Sequence, residues 1–390
     1  MTAFKDLIFV SMEPWDEIWR RNQFLCSAYA RRFTGNKILF VSPPLDVSNH
    51  MCRGRMPDTQ RLAAFSPPDH PNITVTRPLK LFPNTLTTGR LLNEAMIRRH
   101  VASMTHELGL RDPILWLNPH TAVHMAGRMA ESAVIYDITD DWISLTQSCR
   151  MKKLTAAQDL ALCRRADAVI VCSPHLYKLK SSLTQNLHLI PNGVNLDHYQ
   201  GILDSAGPVP RGADQWTRPV LGYTGTIHPD RVDVGLVESV AARMPDATVV
   251  LVGPNHLPAA TMARLRMLPN LVLVGAVPYQ EIPNYMRAFD ICITPHLITP
   301  FTESLNPIKL WEYLASGKPI VSTDVAGFRD FPHLVRITDG PDQFAAAARS
   351  AICEESGRAQ ARIEEAARHR WVSRLDNVVS VIGGLKTGAG

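Results

Sequence analysis

The 390-residue sequence has no apolar run approaching the ~18 residues that a membrane-spanning helix needs. Its start, Met1-Thr2-Ala3-Phe4-Lys5-Asp6, lacks the succession of charged, apolar and small residues that marks a secretory signal. Seven cysteines (Cys26, Cys52, Cys149, Cys163, Cys172, Cys292, Cys353) are scattered, odd in number and nowhere spaced Cys-x-x-Cys. They give neither a disulfide framework nor a zinc knuckle, so a reducing, cytoplasmic setting is expected. No long basic run interleaves with aromatics, which argues against nucleic acid as a partner. No unit of about 20–50 residues repeats. What is present is an ordinary globular composition, 45% apolar and 20% charged. At roughly 150 residues per domain, that suggests two domains with sizeable cores.

The net charge of +5 is unevenly placed. Residues 1–205 carry 23 Lys/Arg against 18 Asp/Glu, and residues 206–390 carry 18 of each. The whole excess sits in the first half. It is either a solvated surface or a face towards something anionic, such as a membrane leaflet or a phosphate-bearing acceptor.

Short apolar runs alternate with helical patterns, twice over. Strands are expected at 6–11, 37–42, 73–76, 113–117, 133–137 and 168–173, with helices at 17–32, 91–108 and about 153–165. Residues 201–218, crowded with Gly and Pro, read as a linker between domains. A second set of strands follows at 219–224, 248–253, 271–275, 291–294, 319–322 and 335–337. A final helical pattern from Trp371 to Leu385 is expected to cross back to the first domain. Near-continuous β-branched runs mean strands covered on both faces. The expected fold is therefore α/β: two doubly wound, Rossmann-like domains, 1–200 and 219–370, facing across a cleft. In such sheets ligands bind beyond the carboxyl ends of the strands, so the residues just after each strand are the candidates.

In the second half, Gly222-Tyr223-Thr224-Gly225-Thr226-Ile227-His228 ends a strand in a glycine before a helix, where a phosphate can approach the backbone. Arg231 nearby can neutralise one; a tight turn and a surface arginine are the plain alternatives. Gly275-Ala276-Val277-Pro278-Tyr279 offers backbone groups and an aromatic edge to a nucleobase, or is simply a strand-to-helix turn. Asn306-Pro307-Ile308-Lys309-Leu310-Trp311-Glu312 reads as a helix start with Pro307 as its first residue. It sets Lys309 and Glu312 three apart on one helical face. A cation and a carboxylate there suit a nucleotide, Lys309 for a diphosphate and Glu312 for ribose hydroxyls; a surface ion pair is the alternative. Asp290, at the opposite end of its strand, reads as structural.

These stretches, together with Val252-Gly253-Pro254, Pro278-Tyr-x-Glu-Ile-Pro and Ile190-Pro191-Asn192-Gly193-Val194-Asn195, resemble the GT-B glycosyltransferases. The closest look is to family-4-like bacterial enzymes of exopolysaccharide or teichuronic acid synthesis. The resemblance runs over most of the chain. It implies metal-independent transfer of a sugar from a nucleotide-sugar donor, UDP preferred and GDP open, to a glycan or lipid-linked acceptor. The donor side would be Gly225, Thr226, Arg231, Val277, Tyr279, Asn306, Lys309 and Glu312. The nucleotide sugar is a substrate, so no cofactor is implied. No Asp-x-Asp after a strand points to a metal. One departure concerns the family's Glu-x7-Glu: counting back from Glu312 lands on Ser304, with Glu303 one residue too far. That puts the sugar contact, the sugar's identity and the anomeric outcome in doubt.

In the first half the acceptor's proton needs a base. Tyr136-Asp137-Ile138-Thr139-Asp140-Asp141 supplies three carboxylates after a strand. The resemblance favours Asp140 or Asp141, with Asp137 bonding backbone at the strand end; capping of a following helix is the alternative. His120, after the strand at 114–117, is the second candidate. Trp15, Trp19 and Arg21 follow the first strand, where the family has a cleft-facing loop. Leu91, Leu92, Met96 and Ile97, with Arg90, Arg98 and Arg99, make a helix either core-facing or resting peripherally on anionic lipid. Two rival readings remain: a non-catalytic assembly subunit of the same fold, and a nucleotide-sugar 2-epimerase, which needs a denser set of His and carboxylates around the sugar.

Overall fold

The apolar runs form two parallel sheets in the computed structural model, which describes residues 5–385 apart from 53, 55, 57–61, 146–147, 205 and 356. The chain divides into two compact units. The first is Met1–Ile143, Gln147–Pro191 and Leu375–Gly390; the second is Ser144–Thr146 and Asn192–Arg374.

The first unit holds β1 (Leu7–Val10), α1 (Arg21–Arg32), β2 (Ile38–Val41), β3 (Leu45–Asp46), α2 (Val47–Cys52), β4 (Ile73–Thr76), β5 (Leu79–Lys80) and α3 (Thr87–Leu108). It continues with β6 (Ile114–Leu117), β7 (Ala133–Ile138), α4 (Cys149–Arg165), β8 (Ala168–Val171), α5 (Pro174–Lys180) and β9 (Leu187–Leu189). Seven strands pair in the order β4-β2-β1-β6-β7-β8-β9, all parallel. Leu7–Val10 lies in step with Ile38–Val41 on one side and Ile114–Leu117 on the other. The loops after β1, β2 and β6 therefore leave at one edge. β1, β2, β6, β7 and β8 are buried along their whole length. Ile8, Leu39, Leu115 and Val169 pack with Val101 of α3 and Leu162 of α4.

The second unit holds β10 (Val220–Thr224), α6 (Val234–Arg243), β11 (Thr248–Val252), α7 (Ala259–Leu265), β12 (Leu271–Gly275), α8 (Ile282–Ala288), β13 (Ile291–Thr294) and α9 (Pro300–Glu303). After these come α10 (Ile308–Ser316), β14 (Ile320–Thr323), β15 (Arg336–Thr338), α11 (Gly340–Ala351), α12 (Gly357–Ala367) and the start of α13 (Trp371–Gly384), which from Leu375 onward belongs to the first unit. Its sheet runs β12-β11-β10-β13-β14-β15, again all parallel. Order reverses at β10, the switch point of a doubly wound sheet. Gly222 admits the neighbouring element: a Cβ there would stand 2.0 Å from the Phe289 ring.

Several boundaries differ from the sequence expectations, each for a local reason. α1 begins at Arg21 and not at Glu17, because Asp16 Oδ1 accepts the Ile18 N–H at 2.9 Å and turns the chain. Gln23 then closes the start by accepting the Arg20 N–H at 3.1 Å. α4 begins four residues early, with Ser148 as its cap. Pro307 lies just before α10 and is its cap residue, not its first helical one. Residues 201–218 are packed on the second unit. Ile202 is buried there, and Arg287 holds the carbonyls of Gly201, Asp204 and Pro208.

Candidate functional site

The end of β10 and the first turn of α10 meet in the second unit. Gly225 sits at φ 137°, in the region that favours glycine, and its N–H donates to the Val252 carbonyl at 2.8 Å. Gly253 (φ 144°) passes so close that a Cβ would stand 2.1 Å from the Gly225 oxygen. Lys309 projects into this turn, its Nζ 2.6 Å from where a Gly225 Cβ would be. The ammonium donates to Tyr223 Oη at 2.5 Å, lies 4.0 Å from that ring's centre and 3.4 Å from His296 Nε2. Burial, then the Arg231 guanidinium, lowers the Lys309 ammonium to about 7, with Glu312 pulling the other way. The same burial, with Lys309 and Arg231 beside it, holds His296 far below its ordinary value, so its imidazole is neutral.

Glu312 lies one turn along α10. Tyr199 Oη donates to its Oε1 at 2.7 Å, and burial raises the carboxyl against that hydrogen bond and the Lys309 charge. Tyr279 is buried, with His198 stacked on its ring at 4.0 Å and donating to its carbonyl at 2.9 Å. One face of the expected base-reading aromatic is therefore already covered. Asn306 is turned to another use: its Oδ1 accepts the Asn192 N–H at 2.8 Å and its carbonyl the Asn192 amide at 2.5 Å. Its oxygens hold the Pro191-Asn192 segment. Thr226 accepts the Tyr223 hydroxyl on its carbonyl at 3.1 Å, and Val277 is half-buried in the loop after β12. Glu303 forms a forked ion pair with Arg329 at 2.6 and 2.9 Å. Asp290 is structural as expected, accepting the Val220 N–H at 2.7 Å.

The structure thus brings Gly225, Arg231, Lys309 and Glu312 together and adds Tyr223, His296 and Tyr199, which the motifs did not single out. His296 had a signal: it stands two residues past β13, at the carboxyl end of a strand. Tyr199 had none, since only the three-dimensional path carries it to Glu312.

In the first unit, the Asp137 carboxylate bonds no backbone group among the described residues. It holds the buried Arg21 guanidinium, with Nε at 3.0 Å from Oδ2 and Nη2 at 3.0 Å from Oδ1. Arg21 is therefore a buried ion-pair partner. Asn118 accepts from Asn22 at 2.8 Å and from the Met12 N–H at 3.2 Å, and donates to the Asp137 carbonyl at 2.9 Å. Trp15 packs edge-on against Phe40 at 4.9 Å. Past β7, Asp140 is half-buried, and Asp141 is buried with its Oδ1 accepting the Ile143 N–H at 3.2 Å. His120 opens the turn His120–His124 after β6. Its Nδ1 is buried without a hydrogen-bond partner among the described residues, and burial lowers its pKa. Asp159 opposes that shift while Lys180 adds to it; these two form a buried pair at 2.6 Å, joined by Tyr136 Oη at 2.9 Å. Among the described residues no three His, Cys, Asp or Glu side chains group as a metal site.

Residues 218–354, in the second unit, match the family described as glycosyl transferases group 1. A putative teichuronic acid biosynthesis glycosyltransferase of Bacillus subtilis, TuaH, is 31% identical over 204 residues, 49% of this chain and 50% of that protein. The chain spans about half the length of this curated relative. A sucrose-phosphate synthase from Thermosynechococcus elongatus superposes with TM-score 0.72 at 15% identity, over 98% of this chain and 99% of that one. HepE of Anabaena, solved with UDP and glucose, gives 0.69 at 16% identity over 98% and 100%. A trehalose 6-phosphate synthase from Burkholderia multivorans gives 0.69 at 12% over 99% and 100%. These likenesses show the fold, that of the GT-B glycosyltransferases.

Proposed function

We propose that the chain transfers a glycosyl group from a nucleotide sugar, UDP-linked by preference, to a glycan or lipid-linked acceptor in cell-surface polysaccharide synthesis. The second unit holds the donor and the first unit meets the acceptor at the cytoplasmic face of a membrane. The observation that carries this reading is the Lys309 ammonium at the Gly225 turn, with Glu312 one helical turn away. When the sugar leaves, negative charge builds on the departing diphosphate. A cation fixed in a low-dielectric turn stabilises that charge without reorganising. Lys309 and Arg231 supply it. The Gly225 N–H is already given to Val252, so the Thr226 N–H is the amide this turn offers to a phosphate. Glu312, held by Tyr199, accepts from the ribose hydroxyls.

On the acceptor side, Asp140 or Asp141 is the base, Asp140 Oδ2 accepting the Thr139 hydroxyl and Asp141 Oδ1 the Ile143 N–H, each at 3.2 Å. His120, whose pKa burial lowers, is the second candidate.

The test is a thermal-shift panel of UDP, GDP, ADP, dTDP and CDP without added metal, on wild type and Lys309→Ala. A ligand at ~100 times its Kd stabilises by about 2.7 kcal/mol, a shift of a few degrees for a chain this long. A shift with one nucleotide, lost in Lys309→Ala, supports the donor site. No shift with any nucleotide overturns it and favours a non-catalytic assembly subunit. Turnover lost in Asp140→Asn with the nucleotide shift intact supports the base.

A further inference from the structure

Residues 81–88 read Leu-Phe-Pro-Asn-Thr-Leu-Thr-Thr, and every one of them is exposed. The run leads from β5 into the first turn of α3 and contains no charge. Leu86 is 60% exposed and Phe82 39%. It is nevertheless tied down. Asn93 of α3 accepts the Leu81 and Phe82 N–H groups at 3.1 Å each and donates to the Phe82 carbonyl at 2.7 Å. Gly89 lies against it, so closely that a Cβ would stand 2.8 Å from the Pro83 oxygen. A loop anchored by its backbone with its apolar side chains turned outward is not waiting to join its own core. α3 extends the same apolar character with Leu91 and Leu92, each more than half exposed.

The start of α4 adjoins this loop, Arg150 donating to the Thr85 carbonyl at 3.1 Å. Arg150, Met151, Lys152 and Lys153 are all exposed. Among the described residues none of these cations pairs with a carboxylate, and the helix's first turn holds no acidic residue. Cations in the first turn of a helix oppose its dipole. They work against the helix that carries them, so their use lies with an anionic partner.

We propose that the loop 81–88 and the first turn of α4 form a surface by which the first unit docks on an anionic lipid bilayer. Phe82 and Leu86 enter the boundary between headgroups and acyl chains, and Lys152 and Lys153 meet headgroup phosphates. An acidic protein would employ the lysines; the uncharged apolar run fixed beside them is what favours lipid. The inference rests on the reading of the first unit as the acceptor side, and it names the surface of that side.

The full chain is sedimented with vesicles of phosphatidylcholine alone, of phosphatidylcholine with phosphatidylglycerol, and with soluble polyglutamate. Wild type should bind the mixed vesicles, weakly or not at all the neutral ones, and let go at high salt. Lys152→Gln with Lys153→Gln should weaken binding about 30-fold, the loss of roughly 1 kcal/mol per cation at an anionic surface. Phe82→Ser with Leu86→Ser should weaken it comparably at low salt. Each variant should keep the nucleotide-induced thermal shift of wild type, which shows that it folds. Equal vesicle binding by wild type and the Phe82/Leu86 variant overturns the proposal, as does polyglutamate binding with no vesicle binding. Vesicle binding absent while the nucleotide shift persists sinks this surface and leaves the donor site standing. Loss of the shift in wild type sinks the donor site instead.

Discussion

Donor binding should take up a proton, because the cation that meets the diphosphate is largely deprotonated above neutrality. Burial and Arg231 bring the Lys309 ammonium to about 7. Tyr223 and His296 beside it remain neutral, Tyr223 raised and His296 lowered, so neither titrates in the same window. A diphosphate favours the charged ammonium and raises its pKa again. The sign follows: the free protein loses its proton as pH rises through 7, and the complex keeps it. At pH 8 only about a tenth of free Lys309 is protonated, so binding takes up about 0.9 proton; at pH 6 it takes up about 0.1. The affinity should therefore fall about tenfold between pH 6 and pH 8. A nucleotide sugar is the right probe, because its diphosphate is doubly esterified and does not itself titrate near neutrality. Calorimetry at pH 8 in two buffers of different ionisation enthalpy reads the proton directly. Lys309→Arg, which stays charged, should bind with a flat pH profile and no uptake. A wild-type affinity level from pH 6 to 8 with no proton uptake would refute the reasoning, as would an Arg variant that keeps the slope.

Three further outcomes follow from single contacts. Tyr199→Phe removes the 2.7 Å hydrogen bond that orients Glu312, a charge-assisted bond worth about 1.5–3 kcal/mol. Its preference for UDP over 2′-deoxy-UDP should fall by roughly tenfold in titrations, and an unchanged ratio would remove Glu312 from the ribose. Arg21→Met leaves Asp137 buried and unpaired, at a cost of about 3–5 kcal/mol in denaturant melts. Asp137→Leu in the same chain should recover most of it, and no recovery would mean that Arg21 acts through packing. Lys309→Met should stabilise the ligand-free protein by roughly 1–2 kcal/mol while abolishing nucleotide binding; a less stable variant would show that the ammonium is at ease in its turn.

The fold was legible because each buried parallel strand is a nearly unbroken apolar run, as in Ile38–Val41 and Ala168–Val171. Helix starts were less legible. They turn on single side chains, Asp16 holding the Ile18 N–H and Ser148 capping α4, which compete with an apolar periodicity that runs on regardless. The grouping of Lys309 with Glu312 was readable because 3.6 residues per turn fix it within one helix. Partners brought from other elements were not. Tyr199 reaches Glu312 across 113 positions, and Asn306 looked like a ligand group until the Asn192 backbone N–H and side-chain amide took its oxygens. Asp137 was misread for the same reason, its guanidinium partner lying 116 positions away. Local spacing says which side chains share a face; it does not say which are already engaged.

The two units offer their candidate groups in opposite electrostatic conditions. In the first, charge is balanced within the protein: Asp137 with Arg21, Asp159 with Lys180, each pair buried and hydrogen-bonded. Asn118 ties the segments after β1 and β6 and the end of β7 to one another. Loops so fixed can carry Asp140 and His120 without being deformed when a substrate arrives. In the second, Arg231 is close enough to disfavour the charge on Lys309, and the Glu312 carboxylate pulls the other way. That arrangement costs folding stability in the free protein. It also means that a dianionic ligand entering the Gly225 turn relieves a repulsion as well as forming contacts. The lowered Lys309 pKa and the expected proton uptake are two readings of that one imbalance. It is the imbalance, more than any single contact, on which the proposed diphosphate site rests.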